Sequence, residues 1–131
     1  MCPLVCFALA VVPAGAAPAS LVPGLAEQIV LTPLGGTEPE DRAIESAQQR
    51  AGAADAPREA FERLGWALVA KARRTLDPGF HKLAEKTADA MDARFGVSTE
   101  SRLLRGHALH NLHRFREAEG VARALVSRSE E

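Results

Sequence analysis

The sequence is poor in the features that most often advertise a chemistry. It has two cysteines, Cys2 and Cys6, both inside the first apolar stretch and without histidine or acidic neighbours. They form no disulfide framework, no metal site and no Cys-x-x-Cys redox pair. Aromatic residues make up only 5%, and β-branched runs with period two are absent, which argues against a sheet. No block of one charge occurs: acids and bases are interspersed, the formal net charge is −1, and the first Lys or Arg is Arg42. The basic stripe with interleaved aromatics that nucleic-acid binding requires is therefore missing.

Motifs for catalysis are missing as well. Gly35-Gly36-Thr37 lacks the Gly-Lys-Ser/Thr ending of a phosphate loop. Ser98, Ser101, Ser127 and Ser129 fall near helix ends with no glycine-flanked elbow. Asp55 and Asp77 read as helix caps, and Glu117 and Glu119 as solvated helix surface. With no nucleophile, base and orienting acid in a recognisable pattern, the expectation is a protein that is not an enzyme and needs no cofactor.

What the chain does have is alanine and a helical rhythm. Apolar residues make up 47% of it, with small side chains prominent. Small side chains let helix axes approach closely and lose little entropy on ordering. The fold expected is all-α, about five helices built as antiparallel hairpins.

Three regions follow from the composition. Residues 1–19 hold an apolar run from Pro3 to Val12, then small-x-small positions at Ala14-Gly15-Ala16 and Ala17-Pro18-Ala19. That is the form of an export signal, without its positive n-region, and it is too short for a stable membrane span. A periplasmic or secreted location is the expectation, and a cytoplasmic one with a disordered tail is the alternative. Residues 20–38 contain Pro23, Pro33 and Gly35-Gly36 around a short Ile29-Val30-Leu31 stretch, and read as a linker. Residues 39–131 are the helical body.

Within that body, Thr37 and Glu40 form a capping-box pattern around Pro39, and Gly52 ends the helix carrying Ile44, Ala47 and Ala51. Asp55-Ala56-Pro57 starts a second helix, with Phe61, Leu64, Leu68 and Ala72 on one stripe. Asp77-Pro78 caps a third, which buries Phe80, Leu83, Ala84, Thr87, Ala88 and Met91 and stops at Gly96. Ser98 or Thr99 caps a fourth running to about His113. A fifth runs from Phe115 to about Ser127, buried through Phe115, Ala118, Ala122, Leu125 and Val126.

The two hairpins of residues 57–131 repeat one another. Leu64-Gly65-Trp66-Ala67-Leu68 sets against Arg105-Gly106-His107-Ala108-Leu109, and Phe80-His81-Lys82-Leu83-Ala84 against His113-Arg114-Phe115-Arg116-Glu117-Ala118. On these residues the sequence resembles the tetratricopeptide repeat family. Gly106, Ala108, Phe115, Ala118 and Leu125 fill the family's places in the second unit; Phe61, Leu64, Gly65, Leu68, Ala84, Ala88 and Met91 fill them in the first. The glycine-to-alanine separation is 12 in the second unit (106 to 118) and 19 in the first (65 to 84). Seven extra residues at a hairpin tip add about one turn to each arm and nearly conserve helical phase. Arg102 and Arg105 depart from the family's apolar preference, with Leu103 and Leu104 expected to take over the burial.

The resemblance implies a short right-handed solenoid whose concave face binds a peptide or a partner helix, that is, a scaffold for protein–protein interaction. Projected from the matching positions, that face carries Glu62, Trp66 and Val69 in the first unit and Leu103, His107, His110 and Asn111 in the second. Trp66 and His107 hold equivalent places and should be neighbours, with Trp66 an anchor for a ligand; alternatively Trp66 packs against the Thr37–Ala51 helix. Residues three apart on a helix are neighbours, so His107 and His110 together suggest a metal- or proton-sensing module as a second reading, with His113 about 120° away. Stacked repeats usually bury their last face under a polar cap, and no such cap follows Val121, Leu125 and Val126. That strip is expected to be exposed and served by a partner or by self-association, or to mark a fragment of a longer repeat protein without independent function.

Overall fold

The computed structural model describes residues 24–129. The export-like segment of residues 1–19 lies outside the described residues. Among the described residues the fold is all-α, with six helices: α1 (Leu25–Leu31), α2 (Pro39–Ala51), α3 (Arg58–Thr75), α4 (Pro78–Phe95), α5 (Thr99–Asn111) and α6 (Phe115–Ser129). None of these helices is long and apolar enough to cross a membrane.

Sequence chemistry sets most of the boundaries. Asp77 caps α4 by accepting from the Gly79 amide at 2.7 Å, and Pro78 occupies the first helical position, where its missing N–H costs nothing. Ser98 accepts from the Ser101 amide while the Ser101 hydroxyl accepts from the Ser98 amide, a reciprocal cap for α5. Gly96 closes α4 with φ 80°, a backbone region that side chains other than glycine's rarely enter. Leu76 ends α3 in the left-handed region with φ 57°, although it is not glycine.

Several expectations are corrected. The residue capping α2 is Glu38 rather than Thr37, and the reciprocal partner is Asp41, which accepts from the Glu38 amide at 3.0 Å. The Glu40 carboxylate is thereby free to pair with Arg74 of α3 at 2.8 Å. Helix α3 begins at Arg58 behind Pro57, so Asp55 caps nothing. Helix α5 stops at Asn111, and His113 turns the chain with φ 59°.

The largest difference lies in the segment expected as a linker. Pro23 and Pro33 frame a helix there instead of preventing one, because α1 spans only the residues between them. Val30 of α1 is buried in the core, and Glu27 is held by Arg94 of α4 at 2.7 Å. Gln48 of α2 donates to the Val30 and Thr32 carbonyls at 2.8 Å each, satisfying acceptors that the end of α1 would otherwise leave open.

The core runs through Ile44, Phe61, Leu64, Leu68, Ala84, Ala88, Met91, Leu104 and Ala108. Helix α2 packs on α3, α1 on α4, α3 on α4, α4 on α5, and α5 on α6, with α3 also touching α5. Two- and three-residue connections at Leu76–Asp77 and Gly96–Ser98 make these neighbours antiparallel, so α3 and α5 run the same way. The seven-residue excess appears as length: α3 and α4 have 18 residues each, against 13 in α5.

Three polar pairs tie the layers. Lys71 of α3 meets Asp41 of α2 at 2.8 Å, nearly out of solvent, and that hydrogen bond holds the Asp41 carboxyl below its ordinary range. Arg105 of α5 bridges Asp89 and Asp92 of α4. Burial opposes the ionised Asp89, but Lys86 and Arg105 outweigh it and its carboxyl stays lowered. Arg105 thus has a structural reason to replace an apolar residue. Only Leu104 takes over burial; Leu103 remains half exposed at 51%.

Candidate functional site

Helix α5 lies over α3 because Gly65 has no side chain. A Cβ built there would stand 2.2 Å from Leu104 Cδ2 and 3.0 Å from Cδ1, well inside contact distance. Leu104, fully buried, fills the space that Gly65 leaves. Gly106 stands at the equivalent place one hairpin later. A Cβ there would meet only Val121 Cγ1, at an ordinary 3.6 Å. Among the described residues, no helix takes on the second hairpin the seat that α5 occupies on the first.

That place is part of a groove of about 520 Å³ between α5 and α6, reached by Trp66 of α3. Leu103, Gly106, His107, His110 and Asn111 line it from α5, with Arg102 at its edge. Ala118, Val121, Ala122 and Leu125 line it from α6. Leu103 and Leu125 also border a second depression of about 680 Å³ toward Arg58, Glu100 and Arg128, so the two adjoin along the α5–α6 face.

The structure brings together five of the seven residues expected on a binding face: Trp66, Leu103, His107, His110 and Asn111. Val69 is corrected, because at 3% exposure it belongs to the core and presents nothing to a ligand. Glu62 is half-buried and does not line this groove. The Trp66 and His107 rings meet edge-on at 5.4 Å between centroids. Trp66 is 38% exposed, so it faces the groove rather than being enclosed beneath α2.

Helix α6 contributes differently from expectation. Phe115, Ala122 and Val126 are exposed, and Ala118, Val121, Ala124 and Leu125 are only half-buried. The reason is that, among the described helices, α6 packs on α5 alone. Phe115 contacts the rings of His110 and His113 at 5.3 and 5.5 Å in place of a core. Sequence reading found α6 apolar but missed that its stripe forms the second wall of the groove.

The histidines do not gather as a His107–His110 pair would. His107 stacks toward Trp66 and toward His81 of α4, 6.1 Å away, while His110 turns to Phe115. His81 Nδ1 and His107 Nε2 are buried without a hydrogen-bond partner among the described residues. Burial lowers both imidazole pKa values from their ordinary range, and the nearby Arg73 charge lowers them further. Both rings thus favour the neutral form more than a free imidazole does. Among the described residues no three metal-capable side chains cluster. His81 escaped sequence reading because its partner is on another helix, beyond the reach of local spacing.

One more polar atom stands out. Arg102 Nη1 is buried with no hydrogen-bond partner among the described residues. A buried guanidinium N–H left unpaired costs free energy that an acidic partner would recover. Compared with known proteins, the chain matches no family description, no curated protein and no solved structure.

Proposed function

We propose that this chain is a scaffold for protein–protein interaction, a short array of tetratricopeptide-type hairpins that docks a partner in the groove between α5 and α6. The observation that carries the reading is the groove itself. It joins an exposed tryptophan, the aliphatic Leu103 and Leu125, and a helix backbone bared at Gly106. Aromatic anchors beside apolar, desolvated pockets are where binding energy concentrates in protein interfaces. The order of packing, with α5 seated against both members of the preceding hairpin, supports stacking of the repeat type. A metal- or proton-sensing role through His107 and His110 has less support, since their rings engage different neighbours.

The test is selection of peptides from a display library on the full chain, with a Trp66→Ala/Leu103→Glu variant as counter-selection. Binders that depend on the groove residues are expected. Recovery only of peptides that bind both proteins equally would sink the reading.

A further inference from the structure

The molecule shows on its first hairpin how a helix is seated over a glycine. On the first hairpin, α5 lies against α3 and α4 with Leu104 packed where Gly65 has no Cβ. Ser101, one turn before Leu104, and Ala108, one turn after, are both fully buried. The contact face of a seated helix is therefore leucine flanked by small residues at −3 and +4, a spacing that keeps all three on one stripe. The second hairpin repeats the glycine at Gly106, where a Cβ would meet only Val121 of the same hairpin, at 3.6 Å, and no further helix among the described residues covers it.

We propose that the α5–α6 groove receives an amphipathic helix of a partner protein, parallel to α5, with a leucine seated over Gly106, small residues one turn to either side, and an acid one turn before the leucine. The inference rests on the scaffold reading and specifies its ligand. The acid follows from Arg102. It lies one turn before Gly106 on α5, lines the groove, and has a buried Nη1 without a partner among the described residues. A seated helix would cover that guanidinium further, which is costly unless the helix brings a carboxylate. Because the occupant runs parallel to α5, its residue one turn before the leucine is the one that reaches Arg102. Helix α5 itself carries this combination, with Glu100 preceding Leu104 by one turn.

A synthetic peptide with the sequence of Ser98–Leu112 is therefore a direct probe, titrated into the full chain. Trp66, the chain's single tryptophan, borders the seat and reports by its emission. The expected result is a saturable change in emission, weakened at least about tenfold when the peptide carries Leu104→Ala. On the protein side, Gly106→Leu should abolish the change by filling the seat, and Arg102→Gln should erase the difference between the wild-type peptide and one carrying Glu100→Gln. Far-UV circular dichroism checks that the variants are folded; should Gly106→Leu fail to fold, Gly106→Val replaces it.

No emission change at millimolar peptide, or a change indifferent to Gly106→Leu, overturns the proposal. Self-association that Gly106→Leu abolishes overturns it too, since the seat would then serve a second copy. Selected library peptides that need Trp66 and Leu103 but carry no leucine–small pattern would leave the scaffold reading standing while removing this one.

Discussion

The same substitution at two equivalent glycines should change stability in opposite directions. Gly65 and Gly106 both lie inside helices at matching places, so replacing either with alanine gains about 1 kcal/mol of helix propensity. At Gly65 that gain meets a collision, because the new Cβ would lie 2.2 Å from Leu104 Cδ2 and 3.2 Å from its Cγ. Leu104 is 0% exposed and cannot swing aside without displacing α5. Overpacking of this kind costs about 1–3 kcal/mol, so Gly65→Ala should lose up to about 2 kcal/mol on balance. At Gly106 the nearest contact is 3.6 Å, and the propensity gain of about 0.5–1 kcal/mol should survive. Urea unfolding followed by far-UV circular dichroism reads both. A double-mutant cycle tests the cause: in a Leu104→Ala background, Gly65→Ala should cease to destabilise, because the atoms it strikes are gone. If Gly65→Ala is at least as stable as the wild type, Leu104 does not sit where the packing places it, and the account of the seat fails with it.

Three further outcomes follow. Lys71→Met should destabilise in the same assay, since it takes the ammonium donor from the Asp41 carboxylate, and the loss should shrink in an Asp41→Asn background, where no carboxylate is left to pair. His81 and His107 have folded-state pKa values below the ordinary one, so the unfolded chain binds more protons as pH falls through about 6.5. Their contribution is complete above that pH and declines below it, and His81→Leu should flatten the slope of stability between about pH 6.5 and 5. Leu76→Gly should stabilise by about 1 kcal/mol, because a leucine held at φ 57° and 86% exposed has strain to lose and little packing to forfeit.

How far sequence led depended on whether a signal was local. Caps and stops at Asp77-Pro78, Ser98 and Gly96 were legible because each acts within four residues on its own backbone. The Phe61, Leu64 and Leu68 stripe was legible because burial imposes helical spacing. Helix α1 was not, since seven residues carry too little periodicity; what holds it there comes from Gln48 and Arg94, distant in sequence. Val69 reads like its groove-facing neighbours until α3 is seen packed on both sides. The site was half visible: repeat alignment placed Trp66 beside His107, while the α6 wall and its approach to Gly106 through Val121 emerge only when helices are laid against each other.

The most direct test of the docking groove is the affinity of one library-selected binder for three versions of the full chain. These are the wild type, Leu103→Glu in the groove, and Lys82→Glu on the exposed surface of α4. The account predicts a loss of at least about tenfold for Leu103→Glu, because a carboxylate would be buried against an apolar ligand face, and no change for Lys82→Glu. Equal affinity for all three would contradict it.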